Sequence, residues 1–164
     1  MKKDNIYIVG VVIFALDVIV KTIVKSNIKL LETIKVIPGF FELTHVENEG
    51  AAFSILSGSK YILIVISIII MFLLLKYIKD VKKLSNIEGI GLGLILGGLL
   101  GNLLDRIVNS YVLDYLAFNF FGYHFPVFNL ADIAITGGVV LLLIATIIKE
   151  RKEGKNDSRR NGRK

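Results

Sequence analysis

The chain has 164 residues, of which 54% are hydrophobic and only 21% charged, and its mean hydropathy is +0.66: the length of one domain, but too apolar for a water-soluble one. With no cysteine there is no disulfide framework, iron–sulfur cluster or thiol nucleophile, and His45 and His124 do not form a His-x-x-x-His helical zinc pattern, so neither metal nor other cofactor is expected. The formal charge of +6 is therefore read first as a topology signal.

Crossing a hydrocarbon core of ~30 Å takes roughly 20 apolar residues as helix, because no backbone polar group can stay unpaired in lipid. Four segments qualify: 6–24, 61–78, 87–108 and 127–148. The first resembles a secretory leader, since Lys2 and Lys3 precede it, but no small-x-small cleavage site follows and the apolar run resumes after Asp17, so an uncleaved helix is expected. Lys2, Lys3, Lys76, Lys79, Lys82, Lys83 and the basic residues from Lys149 onward all fall on one side of this layout. The loop 109–126 has no lysine or arginine, and in 25–60 four lysines balance four glutamates. Both termini are thus expected in the cytoplasm, with the two longer loops outside.

The outer loop between the first two helices has β-prone stretches at 35–37 and 40–46 around a Pro38-Gly39 turn, which predicts a small sheet on the outer membrane surface. The expected organisation is a single four-helix domain over 1–150, with a β-cradle at about 28–58, followed by a basic tail at 151–164. That tail, glycine- and asparagine-containing, reads as disordered chain near anionic headgroups. It has no aromatic residue to stack on bases, so no nucleic-acid partner is expected.

An ionisable side chain deep in a bilayer costs on the order of 3 kcal/mol or more, so each one is a functional candidate. Asp17 and Lys21 share one face of helix one at i, i+4 spacing, where an ion pair lowers the cost of both; a structural lock and a catalytic role are both open for them. In helix three Gly89, Gly93, Gly97 and Gly101 permit close helix packing, and Asn102, Asp105 and Arg106 follow near its outer end, as site residues or as interfacial anchors. Asp114 lies in the next loop. Asp132, with Asn129 and Thr136 on its face, is expected about one and a half turns inside helix four. Helix three leaves and helix four enters through the same interface, so the short loop between them can bring Asp114 against Asp132. Two carboxylates held close at low dielectric share a proton, so one serves as base and the other as acid, the condition for activating water without metal or covalent intermediate. His-Glu-x-x-His and Gly-x-Ser-x-Gly are absent. A transporter fits less well, because helix two has no ionisable residue between Tyr61 and Leu75 and no inverted repeat is visible. A noncatalytic assembly protein leaves the paired aspartates unexplained.

These residues carry a resemblance. Asp-x-x-x-Lys at Asp17–Lys21, Asn-x-Gly-Ala-Ala-Phe at Asn48–Phe53, Gly-Asn-x-x-Asp-Arg at Gly101–Arg106, Val-x-Asp at Val112–Asp114 and Phe-Asn-x-Ala-Asp at Phe128–Asp132 stand in the order of the lipoprotein signal peptidases, signal peptidase II, and the chain resembles that family over nearly all of its length outside the tail. The resemblance implies an aspartic endopeptidase of the bacterial cytoplasmic membrane that removes the signal peptide of a prolipoprotein, cutting before a diacylglyceryl-modified cysteine. It implies an all-α polytopic fold of four transmembrane helices with an outer β-cradle, and a flap at about 116–123. Asp114 and Asp132 match its catalytic pair; Asn48, Gly50, Asn102, Asp105, Arg106 and Asn129 match residues that shape the site, and Asp17 and Lys21 a structural pair. The expected partners are lipidated prolipoproteins and membrane lipids, and the expected state is a monomer. Tyr115 stands where phenylalanine is usual, Glu47 precedes Asn48 and Ile133 replaces a frequent serine, departures that touch flap packing and substrate preference.

Overall fold

A computed structural model of the chain describes residues 2–50 and 58–161. It has four helices long and apolar enough to cross a membrane: α1 (Lys3–Asn27), α2 (Lys60–Asp80), α3 (Asn86–Val108) and α4 (Leu130–Asn161). Strands β1 (Thr33–Ile37) and β2 (Phe41–Asn48) lie between α1 and α2, and β3 (Val112–Phe120) and β4 (Tyr123–His124) between α3 and α4. They form one antiparallel sheet in the order β1-β2-β3-β4. The expected cradle is therefore wider than its own loop: β2 pairs with β3, Val46 opposite Asp114 and Asn48 opposite Val112, so Asp114 sits on a strand and not in an open loop. The expected flap is a hairpin whose turn residues Phe121 and Gly122 both have positive φ, 52° and 92°, as a two-residue type I′ connection requires. Residues 51–53 of the Asn48–Phe53 motif lie outside the described residues.

α3 is the central helix. Half of its apolar window is buried, against 17–22% for the other three helices, which leave the rest to lipid. Its start is fixed by a capping box, in which Ser85 Oγ accepts from Glu88 N at 3.2 Å and Glu88 Oε2 accepts from Ser85 N at 2.7 Å. Two glycine rows let it approach its neighbours. Gly93 and Gly97 face α1: a Cβ at Gly97 would stand 2.5 Å from Gly10 O and 2.7 Å from Ile13 Cβ. Gly91 and Gly98 face α4, and Gly138 of α4 presses back against Gly91 O and Ile95. The sequence pattern named the row facing α1; the second row was hidden because its spacing of seven residues reads as incidental. In lipid, where apolar burial supplies little drive, such backbone proximity is what holds helices together.

Two apolar clusters close the bundle. At one end Ile6, Ile78 and Leu92 join α1, α2 and α3. At the other Val24, Ile28, Leu113 and Tyr115 bind the end of α1 to β3. Beyond them, stacked and edge-on phenylalanines run from Phe40 and Phe41 through Phe118 and Phe120 to Phe125 and Phe128, tying β2 and β3 to the segment that leads into α4.

Two expectations need correction. α4 begins at Leu130, three residues later than its apolar run, because Phe128 is engaged by β3: Phe128 N donates to Leu116 O at 3.2 Å and Leu116 N to Phe128 O at 2.8 Å. Asp132 is consequently in the first turn of α4, and Thr136 is exposed. The tail, read as disordered, continues α4 as helix to Asn161; extending an existing helix avoids the nucleation cost that an isolated segment meets.

The glycine rows make a direct comparison. Gly97→Ala puts its methyl into the α1 backbone, whereas a Cβ at Gly137 meets nothing within 4 Å. Gly97→Ala should cost about 1–3 kcal/mol as overpacking, seen as a lower thermal midpoint in detergent, while Gly137→Ala should leave the midpoint unchanged or raise it.

Candidate active site

The site forms where α4 begins. The first backbone N–H groups of a helix have no partner within it, and in a low-dielectric layer each needs one. Here three different elements supply them. Leu130 N donates to Tyr115 Oη at 3.2 Å, Ala131 N to Asp17 Oδ1 at 3.0 Å, and Asp132 N to Asn129 Oδ1 at 3.0 Å. Asp132 Oδ2 accepts in return from Asn129 N at 3.2 Å. Asn129 and Asp132 thus make a reciprocal capping box, and Asp17 is a helix cap for α4 as well as a partner of Lys21. The hydroxyl of Tyr115, the departure from the usual phenylalanine, is spent on Leu130.

From this corner the polar side chains join into one network. Asn129, fully buried, donates through Nδ2 to Asp114 Oδ1 at 2.7 Å and to Asn102 Oδ1 at 3.2 Å. Asn48, at the end of β2, donates to Asp114 Oδ2 at 2.9 Å. Asn102 of α3 donates to Asp132 Oδ1 at 2.7 Å. The Lys21 ammonium stands 2.8 Å from Asp17 Oδ2 and 2.9 Å from Asp105 Oδ2, and donates to Asn102 Oδ1 at 3.0 Å. Asp105 Oδ2 also accepts from Leu113 N at 3.2 Å, which fixes the residue next to Asp114. Arg106 reaches Gly50 O at 3.2 Å and Asn102 O at 3.3 Å, holding the chain after Asn48 against α3. All ten residues singled out from the sequence meet in this one cluster. The sequence did not disclose the ties of Lys21 to Asn102 and Asp105, which join positions over eighty residues apart, or the capping roles of Asp17 and Tyr115. None of these left a local signal; in this corner only the Asn-x-x-Asp capping box at Asn129–Asp132 did.

Asp114 is 3% exposed, and its carboxyl is pushed up to about 6, first by burial and further by the charge of Asp132, against the opposing hydrogen bonds of Asn48 and Asn129. Tyr115 is pushed up to about 12 by burial, so its hydroxyl stays protonated. The described residues contain no group of three or more His, Cys, Asp or Glu placed to hold a metal ion. What the cluster offers is two carboxylates held by one residue, Asn129, through its side-chain amide to Asp114 and its backbone N–H to Asp132, Asp114 being able to carry a proton near neutral pH.

Four helices long and apolar enough to cross a membrane, a sheet at one end and two neighbouring aspartates beneath it, Asp114 buried and Asp132 half-buried, define a polytopic membrane protein with a hydrolase-like site. The family model described as Signal peptidase (SPase) II matches residues 9–148, and the chain belongs to that family. It is 44% identical over 140 residues to the lipoprotein signal peptidase of Halothermothrix orenii, covering 85% of this chain and 92% of that one. With the lipoprotein signal peptidase of Listeria monocytogenes serotype 4a it shares 37% over 146 residues, covering 89% and 95%. Two solved structures, each of a bacterial membrane enzyme, superpose with TM-scores of 0.83 and 0.79 at 33% and 34% identity; the first covers 90% of both chains, the second 87% of this chain and 92% of the other. The chain is accordingly a multi-pass bacterial membrane protease of the signal peptidase II family, acting in the removal of signal peptides from prolipoproteins.

Removing the Asn48 amide takes away a donor that favours the ionised form of Asp114. In Asn48→Ala the Asp114 carboxyl should therefore titrate above its present value of about 6, visible as a protonated C=O stretch that persists to higher pH in infrared difference titration, and absent in Asp114→Asn.

Proposed function

We propose that Asp114 and Asp132 are a catalytic dyad that activates water to cleave a prolipoprotein immediately before its diacylglyceryl-modified cysteine. The observation that carries this reading is the placement of Asn129, which bonds Asp114 through its side chain and Asp132 through its cap. One residue thereby sets the relative position of two carboxylates that come from different elements. Asp114, with its raised proton affinity, is the acid and Asp132 the base. Asp132 takes a proton from water as the hydroxide oxygen bonds to the scissile carbonyl carbon, and Asp114 gives its proton to the carbonyl oxygen. In collapse of the resulting gem-diol, Asp132 returns its proton to the amide nitrogen, Asp114 recovers one from a hydroxyl, and the C–N bond breaks. No metal takes part.

In this reading Asn48, Gly50, Asn102, Asp105, Arg106 and Asn129 shape and hold the site, and the β-sheet cradles the substrate. The segregation of lysine and arginine supports cytoplasmic termini and a site near the extracytoplasmic face. The protein works as a monomer without a nucleic-acid partner, since one chain supplies every member of the network.

Asp114→Asn and Asp132→Asn each keep the size of the side chain but remove the transferable proton, so each should lower cleavage of a lipidated prolipoprotein by purified protein by at least ~10³-fold, with the double variant little worse than either, as for residues that act as a unit. EDTA should have no effect. Substantial turnover by either variant, or loss with EDTA that added metal restores, would sink the dyad.

The pH dependence follows in sign from the acid role of Asp114. Because its carboxyl is half-protonated at about 6, kcat/KM, which reports the free enzyme, should fall as pH rises through that value. A profile flat from pH 6 to 8 would remove Asp114 from the role of acid.

A further inference from the structure

We propose that Lys21 is a positioning residue for cleavage, orienting Asn102 so that its amide nitrogen, and not its oxygen, faces Asp132. The inference rests on the aspartate-dyad reading and extends it to a residue expected to be only structural.

A lysine ammonium has three donors and no acceptor. The one on Lys21 is 5% exposed and meets three oxygens, those of Asp17 at 2.8 Å, Asp105 at 2.9 Å and Asn102 at 3.0 Å. Whatever Asn102 presents to it must accept, so Oδ1 points at Lys21 and Nδ2 is left to donate to Asp132 Oδ1 at 2.7 Å. The Asn129 amide also donates to Asn102 Oδ1, at 3.2 Å, and supports the same orientation through a longer contact than the lysine's 3.0 Å. Asn129 is itself locked by the backbone N–H of Asp132, another group that only donates. Asn102 and Asn129 are thus each held in one sense by a partner that cannot accept. Without Lys21, Asn102 Oδ1 keeps only the longer contact from Asn129 and loses its anchor to the lysine, so its amide nitrogen shifts from Asp132 and the carboxylate leaves the position in which it meets water.

The partition between Asp17 and Lys21 separates positioning from structure. Asp17 binds Lys21 and the α4 backbone and does not touch Asn102, whereas Lys21 touches both. Lys21→Met keeps the length of the stem and removes the donors. Per folded molecule it should lower kcat by about 10- to 100-fold, the range a misplaced catalytic group loses, with KM changed by less than about twofold. Asp17→Asn keeps one oxygen for the two donors that Asp17 serves, Ala131 N and Lys21 Nζ, and should lower folded yield, with kcat per folded molecule falling by clearly less than in Lys21→Met. In an Asn102→Ala background Lys21→Met should cost little more, since the residue it acts through is gone.

Should Lys21→Met fail to accumulate, because it leaves two carboxylates without their counter-charge, the Asp17→Asn/Lys21→Met double variant is compared with Asp17→Asn alone and should show the same fall in kcat. If folded Lys21→Met, or the double variant against its parent, keeps kcat within about twofold, or if the loss is undiminished in the Asn102→Ala background, Lys21 is structural only. Asp132→Asn measured alongside distinguishes the two failures: an inactive Asp132→Asn with an active Lys21→Met overturns this inference alone, whereas an active Asp132→Asn overturns the dyad beneath it.

Discussion

No backbone donor can be left bare where water is scarce, and the first turn of α4 carries three that need partners from outside their own helix. Asp17 of α1, Tyr115 of β3 and the side chain of Asn129 provide them. An exposed helix start would be satisfied by water with no consequence for the rest of the chain. Here, satisfying it obliges α1, β3 and α4 to converge on a single point, and that point is where Asp114 and Asp132 stand. A normal requirement of helix termination has become the means of assembling a site from segments more than a hundred residues apart in sequence.

The convergence depends on α3 being thin. Asn102 reaches both Lys21 on one side and the α4 corner on the other only because the glycines before it let α1 and α4 approach at backbone distance. At Gly101 a Cβ would run into the Asp17 carboxylate, and at Gly98 into Ala131 O. Both are groups of the α4 corner. The glycine rows and the polar network are therefore one arrangement: side chains at the inward-facing positions of α3 would separate the helices and take the Asp17 carboxylate of α1 out of reach of the α4 backbone donor.

Sequence made the helical part of this legible because lipid imposes a length and a composition that can be counted, and it made the two aspartates legible because the topology returns the chain to one interface. It was weaker where hydrogen bonds compete with apolar patterning. Residues 127 and 128 continue the apolar run of helix four, yet Phe128 pairs with Leu116 and the helix waits for the Asn129 cap. The strand 112–120 was read as loop and flap because its alternation is masked by aromatic residues on both faces, and its partner β2 lies across the whole of α2 and α3. Lys21 and Asn102 had no local signal at all, their contact being set by packing and not by spacing.

The choice of asparagine around the two aspartates has a physical reason. A carboxyl that must hold and release a proton near neutral pH needs donors to fix it, but an adjacent cation would hold its ionised form and lower its pKa by about 1–3 units. Neutral amides give direction at a smaller electrostatic cost. Asp114 receives two, from Asn48 and Asn129, and with burial opposing them it still settles at about 6. The cluster does contain a buried cation, yet Lys21 makes its close contacts with Asp17 and Asp105 and meets Asp132 through the intervening amide of Asn102. The same three contacts that hold the lysine thus keep its charge one side chain away from the aspartate, so that it orients that group through a neutral amide.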